Sequence, residues 1–425
     1  MIPKARPRPR PTEAFRFLFR GVRHLVFALG GLCAGAATIT VEQALQLADQ
    51  NHPSLRAGTA QVDAARAGIT TAEAYPNPEV GFRAGGQDYR VPGNVRGAVT
   101  TYIFNQPLEL GGLRPARIAL AERGRESSEY ALAGTRLAVL SHVRRTFFQA
   151  LREREEIGVL TENLRLVEEF RKRIQVRVDV GEAGRLELYR ADAEVATART
   201  AANAARLQYV AALAQLRAAV GSQIGEDLTL SGSLDPPVTL PPIEELHREV
   251  LARHPLMRLA QSEVRRAEAR VSLEVALRRP QPSLAIEVDR PPDSPTYRAG
   301  INIPIPLWNR REGPIAESVA LSRQASALLR NTELQLVAAL GSAYERYQVA
   351  TAQLGAFEQG LLREAEEGLR AAETAYRLGE RGILEVLDAQ RVLRTVRLDL
   401  LSAQFDRQLA LVDLDEVRAK DLTKP

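Results

Sequence analysis

The feature that most constrains this 425-residue chain is that it is written twice. "VEQALQLADQNHPSLRAGTAQVDAARA" (41–67) is similar to "IEELHREVLARHPLMRLAQSEVRRAEA" (243–269), with His52-Pro53 over His254-Pro255. "IFNQPLELGGLRPARIALAE" (103–122) is similar to "INIPIPLWNRREGPIAESVA" (301–320). Further on, "VDVGEAGRLELYRADAE" (178–194) is repeated in "YRLGERGILEVLDAQ" (376–390). There Gly181-Glu182 matches Gly379-Glu380, and Leu186-Glu187-Leu188 matches Leu384-Glu385-Val386, both at an offset of 198. A duplicated plan requires two copies of one supersecondary unit, and it is sought before any finer feature because missing it misreads the fold. The halves cover 38–229 and 243–425, joined by the proline-rich linker "LSGSLDPPVTLPP" from 230 to 242.

Proline marks where the plan is helical. None occurs between Pro115 and Pro236 or between Pro314 and Pro425. Each proline inside a helix costs about 3 kcal/mol, so such gaps in a proline-bearing chain predict long helices. Leu164, Val167, Phe170, Ile174 and Val178 recur at spacings of three and four, which draws one apolar stripe. The helices expected are about 40–74, 113–179 and 184–220 in the first half. Those of the second are about 243–279, 311–378 and 383–418. The helical hairpins therefore run 113–220 and 311–418. At about 1.5 Å per residue the longest helix is on the order of 100 Å, a rod and not a globule. The two shorter helices of each half can run antiparallel beside the long one. His-Pro in each first helix predicts a bend and not a metal or catalytic histidine.

Strands are expected in the Pro/Gly-rich stretches, about 77–108 and 282–306. Leu284, Ile286 and Val288 alternate with polar or small residues, as do Ile301, Ile303 and Ile305. Val80 and Phe82, then Tyr102 and Phe104, do the same in the first half. Strands of this length cross a bilayer when tilted, while an ordinary half-buried soluble sheet has the same alternation. If they span a membrane, four strands cannot close a barrel, and an open edge in lipid leaves backbone groups unsatisfied. The barrel must then be shared among chains.

Charge excludes one class of partner. The formal net charge is +5, but residues 1–37 hold Lys4, Arg6, Arg8, Arg10, Arg16, Arg20 and Arg23 against Glu13 alone. Without that segment 50 basic residues face 51 acidic ones, so bulk positive charge offers no nucleic-acid surface. The segment itself has the form of an export signal, with a basic start, the apolar "LVFALGGLCAGAA" (25–37) and small closing residues. Its Cys33 is the single cysteine; it is either discarded with the leader or a lipid-anchored N-terminus, although Leu32 precedes it. Past residue 37 no apolar run approaches the length of a membrane helix. Nor is there a phosphate loop, metal-ligand cluster or nucleophile motif to suggest an enzyme or a cofactor.

With these parts in order, the chain resembles a TolC-family outer-membrane efflux channel over essentially its whole mature length. The repeat, Asn77-Pro78 before the first strand, "QPLELGGLRPARIALAE" and the paired turns carry the resemblance. "PLELGG" and "IPIPLWNRREGPIAES" are most similar to the heavy-metal, CzcC-type branch. The resemblance implies a mainly α protein with a membrane β-barrel part. Three chains would form a homotrimer with one 12-stranded barrel in outer-membrane lipid and an α-helical periplasmic tunnel. It also implies a periplasmic adaptor and an inner-membrane pump, of RND type, at the far end. The turns become docking tips for the adaptor, here Val180, Gly181, Glu182, Leu378, Gly379 and Glu380. Glu385 and Asp388 take the places of acids that ring the tunnel's narrowest point. Three residues apart, they share a helix face, and a ring of carboxylates favours cations and raises some of its own pKa values. Arg190 stands where Asp388 stands in the second copy, so the copies have separate jobs. Glu187, Tyr376 and Arg381 match a brace that holds the gate, as a Glu187–Arg381 ion pair with a hydrogen bond from Tyr376. The family's usual acid at Glu187 and Glu385 is the shorter aspartate. The cargo is left open between divalent metal cations and small organic compounds. The rival class is a periplasmic coiled-coil scaffold without a channel, which explains the helices but not the strands.

Overall fold

A computed structural model describes residues 37–87, 95–221, 228–234, 238 and 240–420. The export signal and Cys33 lie almost wholly outside them. In the first half α1 (Val41–Asn51) and α2 (Pro53–Glu73) lead to β2 (Glu79–Gln87) and β3 (Gly97–Pro107), and then to α3 (Leu113–Asp179) and α4 (Arg185–Val220). The second half repeats the order with α5 (Ile243–Arg253), α6 (Pro255–Leu277), β5 (Ser283–Arg290), β6 (Thr296–Asn302), α7 (Glu312–Ala356), α8 (Leu362–Arg377) and α9 (Ile383–Val417). The short strands β1 (Ala37–Ile39) and β4 (Leu228–Leu230) pair in parallel, a small sheet that no periodicity announces.

The two His-Pro bends are one device used twice. The proline takes the first helical position, where its missing N–H costs nothing. The histidine caps the new helix through Nδ1, which accepts from Ser54 N at 3.2 Å after His52 and from Leu256 N at 3.2 Å after His254. An accepting Nδ1 must be unprotonated, and burial holds both imidazoles below the ordinary histidine pKa.

Toward the strand end the helices stand side by side in the order α2–α3–α6–α7; in the other half of the rod α3 packs on α4 and α9, and α9 on α7 and α8. A core at mid-rod joins α1, α3, α4 and α9 around Leu45, Phe147, Leu151, Leu216 and Val412, and the β1–β4 sheet adds Ile39 and Leu230. Its counterpart in the second half packs Leu246 and Val250 of α5 on Leu336 and Leu340 of α7. Ala44 and Ala48 are the positions matching Leu246 and Val250, and all four are fully buried. The predicted linker is thus part of the core where it begins, since Leu230 and Leu234 are both buried.

Two expectations are corrected. The helix read as continuous from 311 to 378 is broken at Phe357–Leu361 by a π-helical turn in which Gly360 adopts φ 129°. The matching stretch of the first half lies inside the unbroken α3. The last strand ends at Asn302, short of the expected 306, because Pro304 and Pro306 have no N–H to extend a ladder.

The four longer strands form one antiparallel sheet in the order β2-β3-β5-β6, open at both edges. Its register sorts the side chains by face. Phe82, Tyr102, Val288 and Tyr297 line up across all four strands, as do Val80, Phe104, Ile286 and Ala299. The opposite face aligns Arg83, Thr101, Asp289 and Thr296, and beside them Glu287 and Arg298. There Thr101 donates to Asp289 at 2.6 Å and Arg298 pairs with Asp289 at 2.6 Å. The apolar face has no cover: Val80 is 80% exposed and Tyr297 71%.

Candidate functional site

Both hairpin turns close with the same hydrogen bonds. At the first, Glu182 N donates to Arg177 O (2.8 Å) and Gly181 N to Val178 O (3.1 Å). At the second, Glu380 N donates to Ala375 O (2.9 Å) and Gly379 N to Tyr376 O (3.1 Å). This double closure satisfies the last carbonyls of a helix and needs a left-handed residue at its hinge. Gly181 (φ 83°) and Gly379 (φ 79°) supply it. The turns leave apolar side chains in solvent at repeat-matched positions, Val180 with Leu378 and Leu186 with Leu384, all more than half exposed. Glu182 and Glu380 flank them, exposed as well.

Beneath the tips a second core unites the two hairpins, with Phe170 and Ile174 of α3, Ala191 of α4, Leu369 and Tyr376 of α8, and Ile383, Val386 and Leu387 of α9. Tyr376 is its polar member. Its hydroxyl donates to Glu187 Oε2 at 2.7 Å, so α8 is tied to α4. Its ring meets Phe170 edge-on at 5.5 Å, and the Arg177 guanidinium lies 4.8 Å over it. Burial and the hydrogen bond to the Glu187 carboxylate push the phenol up to about 12. The expected Glu187–Arg381 ion pair is absent within the chain. Arg381 is exposed at the turn, where its backbone N–H donates to Ala375 O and its guanidinium makes no ion pair among the described residues.

Glu385 and Asp388 stand on the first turns of α9, both exposed and without an ion pair among the described residues. Glu385 is the third residue after the Gly382 cap and Glu187 the third after Gly184, where a carboxylate also suits the positive end of a helix. Buried Val386 and Leu387 between the two acids fix the face that α9 turns inward, leaving Glu385 and Asp388 on the solvent side together.

Three groups at this end of the rod escaped the sequence reading. Glu194 of α4 is buried and accepts from Arg391 at 2.8 Å, with Arg394 3.6 Å away, which makes a second link between α4 and α9. Arg173 reaches Glu373 at 3.6 Å, from α3 to α8. Arg177, besides covering Tyr376, lies 3.7 Å from Glu182. None occupies the same place in both copies as a like residue: Val392 matches Glu194 and Ala375 matches Arg177. The repeat conceals them, whereas a difference in charge between the copies marks all three, since Ala371 matches Arg173. Among the described residues no group of three or more His, Cys, Asp or Glu is arranged to hold a metal ion, and no helix is long and apolar enough to cross a membrane.

Comparison with known proteins agrees with this geometry. Residues 44–222 and 246–418 match the family described as outer membrane efflux protein, one match in each half. The cobalt-zinc-cadmium resistance protein CzcC of Cupriavidus metallidurans is 28% identical over 384 residues, 90% of this chain and 90% of that protein. The nickel-cobalt-cadmium resistance protein NccC of Alcaligenes xylosoxydans xylosoxydans is 27% identical, covering 76% of this chain and 73% of its own length. In fold the chain is similar to CusC, with a TM-score of 0.77 at 20% identity over 89% of this chain and 91% of that one. It is also similar to the open-state MtrE outer membrane channel of Neisseria gonorrhoeae, with a TM-score of 0.75 at 18% identity over 91% of each chain.

Proposed function

The chain belongs to the outer membrane efflux protein family, and from that premise we propose that it supplies one third of a passive conduit for divalent metal cations. Three copies join edge to edge through β2 and β6, so that twelve strands close a barrel and the helices form a tunnel on its periplasmic side. The observation that carries this reading is the sheet. It has an uncovered apolar face, a charged face behind it and two free edges, and a closed barrel shared among copies is the arrangement that satisfies those edges in lipid. The apolar face meets the membrane and the charged face lines the lumen.

The far end of the rod is where a periplasmic adaptor docks, and through it an inner-membrane pump of the RND type. Repeat-matched apolar side chains on rigid, glycine-closed turns support this, because six similar knobs around a trimer suit a partner that binds in repeated fashion. Inside the tips Glu385 and Asp388 of three copies form a ring of six carboxylates that favours cations. The Tyr376–Glu187 hydrogen bond, 2.7 Å long, braces the closed state. Arg381 contributes to that brace across the boundary between copies, since its guanidinium makes no ion pair among the described residues of its own chain. Energy comes from the pump; the conduit itself carries out no chemistry.

Metal cargo is favoured by the names of the two resistance proteins, CzcC and NccC, to which the chain is similar over most of its length. A wide tunnel needs no resident ligands, so the lack of His/Cys clusters is compatible with it.

Single-channel recording tests the ring. With Glu385→Gln and Asp388→Asn together, cation preference and blockade by multivalent cations should both fall. Selectivity equal to that of the parent would remove the ring from the mechanism.

A further inference from the structure

We propose that the junction between strands and helices is a collar that binds anionic phospholipid headgroups, with Trp308 as its anchor and Arg278 and Arg310 as its headgroup ligands. The inference rests on the outer-membrane placement above and adds to it a lipid chemistry and a site.

Past Asn302 the chain leaves the ladder but keeps presenting apolar side chains: Ile303, Ile305 and Leu307 are each more than half exposed, and Trp308 is 94% exposed. This stretch is irregular backbone. It has left the ladder, and beyond Leu307 N to Ile305 O and Arg311 N to Asn309 Oδ1 its backbone makes few hydrogen bonds among the described residues. Such backbone cannot sit in hydrocarbon, so it belongs at the level where water and headgroups begin. An indole, apolar in body with one N–H, is favoured at that level. Tyr75, between α2 and β2 of the first half, is 72% exposed at the same end of the rod, with the Arg114 guanidinium 4.6 Å over its ring.

Among the described residues six arginines lie at these junctions, and four are spent inside the protein. Arg114 donates to Glu73 O, Arg117 to Ala74 O and Glu109, Arg279 to Gly111 O at 2.7 Å, and Arg311 pairs with buried Glu274. Arg278 and Arg310 are exposed and make no ion pair among the described residues. Glu312 follows Arg310 closely yet pairs with neither. Two exposed guanidinium groups at the strand–helix junctions that also carry an exposed indole complement a phosphate-bearing lipid surface.

Trp308 is the single tryptophan of the sequence, so intrinsic fluorescence reports on this position alone. The full protein should be reconstituted into vesicles of phosphatidylethanolamine and phosphatidylglycerol, with one or the other brominated. Vesicle flotation is scored separately, which keeps membrane insertion apart from the collar. In inserted protein, brominated lipid should quench most of the Trp308 emission, and brominated phosphatidylglycerol should quench more strongly. Arg278→Gln with Arg310→Gln should reduce that preference by about fivefold for each arginine removed. Emission that no brominated lipid quenches in floated protein overturns the collar while leaving the channel intact, and means that Trp308 packs against protein. Equal quenching by the two lipids in the parent overturns the role of the arginines. Failure to float removes the membrane placement and the collar with it.

Discussion

Single side chains decide the chemistry at the two ends of the rod. Tyr376 occupies a core position yet carries a hydroxyl, and the Glu187 carboxylate satisfies it. Tyr376→Phe leaves the ring contacts and strands the carboxylate, which should cost about 1–2 kcal/mol in denaturant unfolding and raise the resting conductance. An unchanged closed state would remove Tyr376 from the brace. The phenol is raised to about 12 in the fold, against its ordinary value near 10. A raised folded pKa gives stability that is complete below the unfolded pKa and lost as pH rises through the folded one. The parent should therefore lose stability between about pH 10 and 12 in a way that Tyr376→Phe does not. His254 runs in the other direction. Its folded pKa is lowered, so its contribution is complete above about pH 6.5 and is lost as pH falls. His254→Ala should remove a cap worth about 1 kcal/mol at neutral pH. His254→Asn should keep the cap and lose the acid sensitivity, a pair of outcomes that thermal melts at pH 5 and 7.5 would separate.

At the scale of elements, glycine has three different meanings in one long hairpin. Gly181 and Gly379 close turns with φ 83° and 79°, and a Cβ there would meet no neighbouring atom. Alanine at either should cost about 1–2 kcal/mol through backbone strain alone, and bulkier residues should impair adaptor cross-linking while trimers persist. Loss of the trimer would assign the turns to assembly instead. Gly360 holds φ 129° in the π turn, whereas Gly341 and Gly158 lie in regular helix with open space around them. Gly360→Ala should destabilise, while Gly341→Ala and Gly158→Ala should each stabilise by about 0.5–1 kcal/mol. Equal effects at all three would mean that the break is not held by glycine. The break is confined to the second copy, which also bears Asp388 where the first has Arg190, so the two hairpins differ in helix geometry as well as in charge.

At the scale of the whole molecule, the sheet has two open edges and a bare apolar face, and the helices form a palisade whose outer members, α2 and α7 toward the strand end, lack a neighbour on one side among the described residues. Light scattering of particles solubilised from outer membranes, with the detergent subtracted, should return three times the mass of the mature chain. A soluble monomer or dimer would turn the strands back into an ordinary sheet and leave only the rod. Buried ion pairs such as Arg144–Asp415 at 2.9 Å fasten α9 along α3 within one copy.

The mainly helical character of the chain and the alternation of the strands were legible because each is a local pattern. Proline-free gaps, three-and-four spacing and period two act over a few residues, and backbone sterics enforce them wherever they occur. The bend at His-Pro belongs with these, although the imidazole's place as the cap acceptor does not. Other features were decided by contacts between residues far apart in sequence. The β1–β4 pair joins three-residue strands 191 positions apart, too short to show a period. Gly360 could not be told from Gly341, Gly355 or Gly368 by pattern, since a lone glycine is tolerated in any helix and only packing selects the one that breaks. Glu194 looks like any surface acid until α9 brings Arg391 and Arg394 to it. Charge pairing depends on which helix faces which, and that is a property of the packed hairpins that no segment carries by itself.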